Sequence, residues 1–325
     1  MIKAIVFITT FNLEDYIGPA LDSVLEQITE FDYKVIVADD CSTDGTVAVL
    51  SRYKEKYGEK LEVVLAERNM GSLRNSNRVF DGLECEYFSF LDGDDYWVGA
   101  DRLQKQVDFL DSHPEYMMCG GNTQYLRDGE IGELLIDPSK TNESYSFDDY
   151  VSGKMPFIHT SSILVRNTIF VNGLPKCYRD AEDTFENCAL RGEDFRRILH
   201  LEKGPIFISK DILSVYRIHQ KGLWQSSSKL KKAVEETICL NFYRKYFDGK
   251  YGEEFDRKMK ESYRSLMSIL VVDYNLLGEY QVGGESTYLL TSLLQDLESN
   301  KDKMVDRKPF KQRILRYIIK KFFRA

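Results

Sequence analysis

Three carboxylates lie within four positions at Asp92, Asp94 and Asp95, in the segment FLDGDDYW of residues 90–97. Like charges this close raise one another's pKa unless a cation lies between them. Carboxylate oxygens suit Mg²⁺ and Mn²⁺, and Mg²⁺ commonly takes one or two protein carboxylates together with the phosphates of a substrate. The segment therefore predicts a divalent-cation site that a nucleoside diphosphate would complete. A solvated acidic turn is the alternative that these residues alone leave open.

A second acidic pair, Asp39-Asp40, follows another apolar run. The hydrophobic pattern around both acidic groups predicts short β-branched strands that alternate with amphipathic helices. Strands are predicted over residues 2–9, 33–38, 61–65 and 86–91, and helices from about residues 16 and 46 and over 72–84. The alternation is typical of a parallel sheet with helices on both faces, whose ligands bind beyond the carboxyl ends of the strands. Both acidic groups fall at that edge.

Beyond residue 100 the alternation is looser. A helix is predicted to end near His113, and two further strands are predicted over residues 161–166 and 205–208. After about residue 226 the pattern is helical. We therefore expect three parts, which are an α/β domain over residues 1–225, a helical extension over 226–306 and a basic amphipathic tail over 307–325.

The composition excludes several classes of protein. The net charge of the 325 residues is −8, which argues against general nucleic-acid binding. The six cysteines lie far apart without a C-x-x-C spacing, so neither a zinc site nor a redox motif is predicted. The first apolar run is too short for a signal peptide, and no stretch approaches 18 apolar residues. These features favour a cytoplasmic protein with reduced cysteines.

Five segments, in order, resemble signatures of the GT-A glycosyltransferases, in particular the inverting members of family 2. They are ITTFNLEDYIGPALDSVLEQI (8–28), VIVADDCSTDGT (35–46), NMGSLRNSN (69–77), FLDGDDYW (90–97) and LSVYRIHQKGLW (213–224). The resemblance covers about residues 1–225. It implies a Rossmann-like, mostly parallel sheet with flanking helices, followed by a C-terminal helical region outside the resemblance. It departs from the family pattern at Thr9, where Pro is usual, and at Cys41, where Gly is usual.

The resemblance also implies an activity and a set of site residues. The activity is metal-dependent, inverting transfer of a sugar from a nucleotide-sugar, with UDP the favoured nucleotide and Mn²⁺ or Mg²⁺ as cofactor. The residues implied to bind the nucleotide-sugar are Thr10, Phe11, Glu14, Asp39, Asp40, Arg74, Asp92, Arg217 and Trp224. Asp40 is preferred as the carboxylate that reads the uracil or ribose. Arg74 as a solvated helix charge and Trp224 as a core residue stay open as alternatives.

The implied metal ligands are Asp94, Asp92 and His219, with Asp94 the preferred direct ligand. Asp95 is expected behind the ligands or at a helix cap. An inverting transfer also needs a base that deprotonates the acceptor hydroxyl. The family places an acidic pair before the VYRIH-like segment, and Glu193-Asp194 fits that position, with Asp194 narrowly preferred. The pair Glu182-Asp183 is the minority alternative.

The segment FKQRILRYIIKKFFRA (310–325) predicts an amphipathic helix with a cationic face and an aromatic-rich apolar face. Residues 307–325 carry eight Lys or Arg and no acid, whereas the rest of the chain carries 36 bases and 52 acids. Such a helix can lie in an anionic membrane interface. We therefore expect a peripheral protein at the inner face of the cell membrane. Docking of the tail on the acidic body is the alternative.

The sequence as a whole predicts sugar transfer to a glycan or lipid-linked acceptor during cell-surface polysaccharide assembly. A non-catalytic sugar-nucleotide-binding or scaffold protein of the same fold is the alternative from another class. A nucleotidyltransferase is less favoured because no Gly-rich loop with Lys or Arg follows the first strand. A dehydrogenase is disfavoured because no G-x-G-x-x-G follows it.

Overall fold

A computed structural model of the chain describes residues 2–182, 184, 189–190, 193–219, 229–247 and 250–272. The chain divides into two compact units, Met1–Ser226 and Ser227–Ala325. Three predicted features lie outside the described residues, namely Asp183, Trp224 and the tail over 310–325.

The first four strands form the parallel half of one sheet. They are β1 (Ile2–Thr10), β2 (Tyr33–Asp39), β3 (Leu61–Leu65) and β4 (Cys85–Asp92). Their order in the sheet is β3-β2-β1-β4, and each adjacent pair is parallel. Strand β1 sits in the centre, which explains why its β-branched and aromatic side chains are buried on both faces.

The register of these strands brings the acidic groups together. Thr10 of β1 pairs with Asp39 of β2, and Thr9 pairs with Asp92 of β4. Because parallel strands point the same way, all three strands end at one edge of the sheet. Ligands of such sheets bind at that edge.

Helices cover this half as the periodicity predicts. They are α1 (Ile17–Leu25), α2 (Thr46–Tyr57), α3 (Ser72–Phe80) and α4 (Arg102–Ser112). Helix α1 buries Ile17, Ala20, Leu21, Val24 and Leu25, the apolar stripe seen in the sequence. Helix α3 was predicted to end at residue 84 but ends at Phe80, because Asp81-Gly82 directly after it does not continue the helix.

The second half of the sheet is mixed. Its strands are β5 (Tyr96–Trp97), β6 (Met118–Arg127), β7 (Glu130–Leu134), β8 (Glu143–Tyr145), β9 (Leu164–Arg166) and β10 (Ile206–Ile218). Strand β9 lies between β4 and β6 and is antiparallel to both, while β10 runs parallel to β6. The predicted α/β class, with a largely parallel sheet and flanking helices, is confirmed.

Two strand predictions in this half were only partly right. The predicted strand over 161–166 begins at Leu164, because Thr160–Ser162 form a short 3₁₀ turn. The predicted strand over 205–208 continues to Ile218 through polar residues, with register irregularities between Ile208 and Ser214. A bulge of this kind breaks the apolar pattern that sequence reasoning follows.

Strand β6, which contains Gly120-Gly121, is absent from the strands predicted from the sequence. The structure shows why glycine is needed inside the strand. A Cβ at Gly121 would lie 2.5 Å from the Asp211 carbonyl oxygen, and one at Gly120 would lie 2.6 Å from Ile158 Cδ1. The two glycines allow the bulged β10 and the segment around Ile158 to approach the strand.

The remaining helices of the first unit are α5 (Phe147–Ser152), α6 (Lys176–Ala181) and α7 (Glu193–Leu201). In the second unit, α8 (Lys229–Tyr246) and α9 (Gly252–Val272) pack against each other. Thr237 and Ser262 share a hydrogen bond of 2.8 Å between them. Within the described residues, no helix combines the length and apolar character needed to cross a membrane.

Candidate active site

The acidic turn after β4 is closed by backbone hydrogen bonds. The Asp95 amide donates to the Asp92 carbonyl at 3.0 Å, and the Gly93 amide donates to the Thr9 carbonyl at 3.0 Å. A Cβ at Gly93 would lie 2.8 Å from that same carbonyl oxygen, so glycine lets the turn pack on β1. Asp95 is buried, whereas Asp92 and Asp94 are partly exposed at the strand edge.

The end of β10 lies against this turn. The Nε2 atom of His219 is 3.0 Å from Asp94 Oδ2, and Arg217 Nε donates to the Asp94 carbonyl at 3.0 Å. The Arg217 amide donates to Asp95 Oδ1 at 3.0 Å. Tyr16, at the start of α1, places its ring 4.5 Å from the His219 ring. The structure thus brings Asp94, Arg217 and His219 together.

A buried histidine that the sequence did not single out lies beneath the turn. His159 Nδ1 is 3.6 Å from Asp95 Oδ2, and Ser161 Oγ donates to the same carboxylate oxygen at 2.9 Å. The atoms that Asp92, Asp95 and His159 could offer to a metal ion all lie within 4.8 Å of one another. His159 had no motif around it, only an irregular segment between elements. No sequence signal would have distinguished it from a core histidine.

The electrostatics of the turn are unfavourable for anions. Burial, followed by the charges of Asp94 and Glu193, raises the pKa of Asp92 to about 7. Burial and the neighbouring carboxylates also raise the pKa of Asp95 well above its usual value. Burial lowers the pKa of His159, so that ring is neutral near pH 7. Among the described residues, Arg196 and Arg217 are the guanidinium groups beside these carboxylates.

The donor set fits a divalent cation. Carboxylate oxygens and imidazole nitrogens are both accepted by Mn²⁺, and carboxylates by Mg²⁺. Two neighbouring ligands of an octahedral ion with bonds of about 2.1 Å lie about 3 Å apart. The 3.0 Å separation of Asp94 Oδ2 and His219 Nε2 is compatible with that spacing as well as with a hydrogen bond.

Helix α7 brings the second acidic pair to the same region. The Glu193 charge acts on Asp92, His159 and Arg196, which places this carboxylate beside the acidic turn. Asp194 differs, because its two oxygens accept from the Tyr150 hydroxyl at 2.8 Å and from the Arg197 guanidinium. From the sequence, Asp194 is narrowly preferred as the base; in the structure each of its oxygens accepts one hydrogen bond, and one of these belongs to an ion pair with buried Arg197.

Two buried arginines on α7 were not among the residues predicted from the sequence. The Arg196 guanidinium lies 4.3 Å from the centre of the Phe90 ring, on the strand that carries the acidic turn. Arg197 Nη1 donates to the Ile158 carbonyl at 2.8 Å, next to His159. Both residues are buried, and charged residues are rarely buried unless they are paired. Their neighbours can be seen only in the folded chain.

On the other side of the edge, the predicted nucleotide residues form a second group. Thr10 is buried, and its Oγ1 has no hydrogen-bond partner among the described residues. Phe11 follows it with 42% of its surface exposed. An unsatisfied hydroxyl and an exposed aromatic ring at the end of β1 can serve a polar ligand with a flat base.

The carboxylates of this second group hold loops. Asp40 accepts from the Met70 amide at 2.7 Å and the Gly71 amide at 2.9 Å. Asp39 accepts from the Ser42 amide at 2.9 Å. Glu14 accepts from the Gly45 amide at 2.7 Å. These bonds fix the loops after β2 and before α3, and each oxygen keeps a further lone pair for a ligand.

Arg74 lies on α3, where Glu182 meets it. Arg74 Nε is 3.6 Å from Glu182 Oε2, and Asn77 Nδ2 donates to Glu182 Oε1 at 2.7 Å. Glu182 belongs to the alternative acid pair, and these contacts give it a role in holding α3. Its partner Asp183 is outside the described residues.

Comparison with known proteins places this arrangement in context. The family model described as "Glycosyl transferase family 2" matches residues 5–171. An uncharacterised protein of Mycobacterium tuberculosis (strain H37Rv) is 28% identical over 228 residues, which cover 70% of this chain and 62% of that protein. TuaG of Bacillus subtilis (strain 168), whose name provisionally assigns it to teichuronic acid biosynthesis, is 34% identical over 43% of this chain and 53% of its own length.

Solved structures share the fold. The Staphylococcus aureus TarS fragment 1–349 in complex with UDP-GlcNAc aligns over 93% of this chain and 88% of its own, with a TM-score of 0.52 and 20% identity. A mannosyltransferase from Pyrobaculum calidifontis aligns over 100% of this chain and 88% of its own, with a TM-score of 0.53 and 15% identity. The GT-A fold expected from the five segments is therefore confirmed.

Proposed function

The chain belongs to glycosyl transferase family 2, and on that premise we propose that it transfers a sugar from a nucleotide-sugar to an acceptor hydroxyl with inversion. We further propose that the reaction depends on Mn²⁺ or Mg²⁺ and serves cell-surface polysaccharide assembly, with a glycan or lipid-linked acceptor. The chain spans 62% of the length of the mycobacterial relative, so the activity of the whole protein is part of the proposal.

One observation carries the proposal. A crowded group of carboxylates, consisting of Asp92, Asp94, Asp95 and Glu193, lies where the parallel strands end. Burial and mutual repulsion raise the pKa of Asp92 to about 7. A structural role alone gives no reason to gather these charges at a partly open edge, whereas a cation and a departing diphosphate do.

Asp94, Asp92 and His219 would hold the cation, as the sequence suggested, and Asp95 and His159 lie close enough to join or orient them. When bound, the cation offsets the negative charge that develops on the departing nucleoside diphosphate. Arg217 lies beside the same position, where its guanidinium can bind a phosphate oxygen.

We assign the base to Glu193. Its carboxylate takes the proton of the acceptor hydroxyl as that oxygen forms a bond to the anomeric carbon. The bond from the anomeric carbon to the diphosphate breaks on the opposite face, so the configuration inverts. Asp194 instead accepts hydrogen bonds from Tyr150 and from its ion-pair partner Arg197, which supports a structural role for this carboxylate.

The nucleotide would lie across the ends of β1 and β2. Thr10 offers its unsatisfied hydroxyl, Phe11 an aromatic face, and Asp39 and Asp40 carboxylates on a fixed loop. Glu14 supports that loop through Gly45. Arg74 lies on the neighbouring α3 and can reach a base or phosphate, while Trp224 remains a proposal from the sequence alone.

A donor screen tests the proposal. Purified protein is incubated with UDP-, GDP- and TDP-sugars, Mn²⁺ or Mg²⁺ and membrane extract, and release of the nucleoside diphosphate is measured. Both donor nucleotides of the similar folds belong in the screen, since TarS was solved with UDP-GlcNAc and the mannosyltransferase with GDP-Man and Mn²⁺. We expect one donor to turn over and EDTA to stop it. Normal UDP binding without hydrolysis or transfer would favour the non-catalytic alternative.

Membrane attachment through residues 310–325 is proposed from the sequence alone. Each cationic side chain near an anionic surface contributes about 1 kcal/mol of attraction. Deleting residues 308–325 should therefore release the protein from phosphatidylserine-containing vesicles in a flotation assay. Persistent flotation of the truncated chain would contradict a membrane role for the tail.

A further inference from the structure

Phe157 is an aromatic side chain that the reaction described above does not use, and 55% of its surface is exposed. A single exposed apolar side chain is common in proteins and is not evidence of a site. The surroundings of Phe157 are less common. It lies two residues before His159 and one before Ile158, which is fully buried. An exposed ring is therefore carried on a backbone anchored beside the acidic turn.

Arg197 lies close both to Phe157 and to the acidic pair that begins α7. Its guanidinium lies 5.6 Å from the Phe157 ring centre and donates to the Ile158 carbonyl at 2.8 Å. The same guanidinium is ion-paired with Asp194, the neighbour of Glu193 on α7. The ring and Asp194 are thus both close to one buried arginine, and the charge of Glu193 acts on the same guanidinium.

Further polar groups are bonded to this arginine. Asp194, its ion-pair partner, keeps 40% of its side chain exposed and accepts from the Tyr150 hydroxyl at 2.8 Å. An exposed aromatic face next to an arginine that carries such polar partners has the chemistry of a pyranose-binding surface. One face of a pyranose presents C–H groups, which are attracted to the negative face of an aromatic ring, while its rim presents hydroxyls.

We propose that Phe157 is the stacking floor of the acceptor subsite, which takes a pyranose ring and turns one of its hydroxyls toward Glu193. The inference rests on the proposed function and adds the class of acceptor group. The anchored backbone supports it, because a ring held in place loses little conformational freedom when a sugar binds.

The test compares three substitutions at one position. Phe157→Ala removes the ring, Phe157→Leu keeps apolar area without an aromatic face, and Phe157→Trp restores a larger face. Ile28→Ala is the matched control, because Ile28 is 69% exposed and follows α1 on the side away from the strand ends. The probes are methyl pyranosides of glucose, galactose and N-acetylglucosamine, offered with the donor found in the screen.

We expect Phe157→Ala to raise the KM of the accepted pyranoside about tenfold, with Phe157→Leu between it and the wild type. Phe157→Trp should have the same pyranoside KM as the wild type. Donor KM and slow donor hydrolysis without acceptor should stay unchanged in all four variants. Saturation-transfer NMR with UDP and Mn²⁺ should lose the pyranoside signal in Phe157→Ala only.

An unchanged pyranoside KM in Phe157→Ala, with normal donor hydrolysis, would overturn the subsite and leave the proposed function standing. Loss of vesicle binding in Phe157→Ala with an unchanged KM would likewise overturn it and assign the ring to a membrane surface. Absence of donor turnover in the wild-type protein would overturn the proposed function and the subsite with it.

Discussion

Two groups of carboxylates lie at the same edge of the sheet and differ in what their oxygens accept. In the capped group, Glu14, Asp39 and Asp40 each accept hydrogen bonds from backbone amides of neighbouring loops. In the crowded group, Asp92 and Asp95 face other carboxylates, and their pKa values are raised. In the sequence the two groups look alike, because Asp39-Asp40 and Asp92–Asp95 each follow an apolar run that predicts a buried strand.

The two groups show that a carboxylate at a strand end can have either of two roles. A carboxylate that accepts from backbone amides holds a loop in place and contributes to stability. Carboxylates that face one another cost stability, and such a cost is typical of sites that bind a cation or react. The capped group therefore holds the loops of the proposed nucleotide pocket, and the crowded group carries the proposed chemistry.

Substitutions at the two acids that begin α7 should differ strongly in their effect on kcat. Glu193→Gln should lower kcat about 10²- to 10⁴-fold with little change in donor KM, because it removes the base. Asp194→Asn should retain most of kcat but lose about 1–2 kcal/mol of unfolding free energy, since the partly exposed pair with buried Arg197 is weakened. Steady-state kinetics and urea unfolding of both variants check this. The reverse pattern would return the base to Asp194.

A smaller effect contrasts the capped and crowded groups directly. Asp40→Asn leaves an amide of Met70 or Gly71 without its charged acceptor, so unfolding free energy should fall by about 1–3 kcal/mol. Asp94→Asn in EDTA should leave stability unchanged or raise it, because a repelling charge is removed. Urea unfolding midpoints measured side by side decide the matter. Equal destabilisation by the two substitutions would break the distinction between the groups.

The third effect is a pH dependence of the metal-free protein. Burial and neighbouring charges raise the pKa of Asp92 from 3.8 to about 7, so the folded state holds a proton that the unfolded state releases. Stability should therefore fall as pH rises from about 4 to 7 and level off above it, by at most about 1.4 kcal/mol per pH unit from this group. Melting temperatures in EDTA, wild type against Asp92→Asn, isolate the contribution. Parallel curves for the two proteins would contradict the raised pKa.

Much of the fold could be predicted because the first hundred residues are locally consistent. Apolar runs such as residues 2–9 and the stripe of α1 determine strand and helix without long-range information. Strand β6 and the continuation of β10 beyond residue 208 could not be predicted, because the form of each strand depends on the other. Gly120-Gly121 makes sense only beside the bulge near Asp211.

The candidate site, like the fold, could be predicted only in part. The acidic turn and the VYRIH segment stand out as motifs, and the structure brings Asp94 and His219 to 3.0 Å. His159, Arg196 and Arg197 carry no motif, since their meaning comes from contacts between distant elements. The contacts of Asp194 with Tyr150 and Arg197, which support the proposal of Glu193 as the base, also come only from the folded chain, because adjacent acids at a helix start look alike in sequence.

The crowded group is proposed to bind a divalent cation together with a nucleoside diphosphate. Calorimetric titration of Mn²⁺ into the protein, with and without saturating UDP, measures this binding. Asp94→Asn is the test variant, and Asp128→Asn is the control, since Asp128 is an exposed turn residue with φ of 50° that asparagine also adopts. We predict one Mn²⁺ per chain, bound more tightly with UDP, with affinity reduced about 100-fold in Asp94→Asn and unchanged in Asp128→Asn. Absence of Mn²⁺ binding in the presence of UDP, or equal affinity in wild type and Asp94→Asn, would contradict the account.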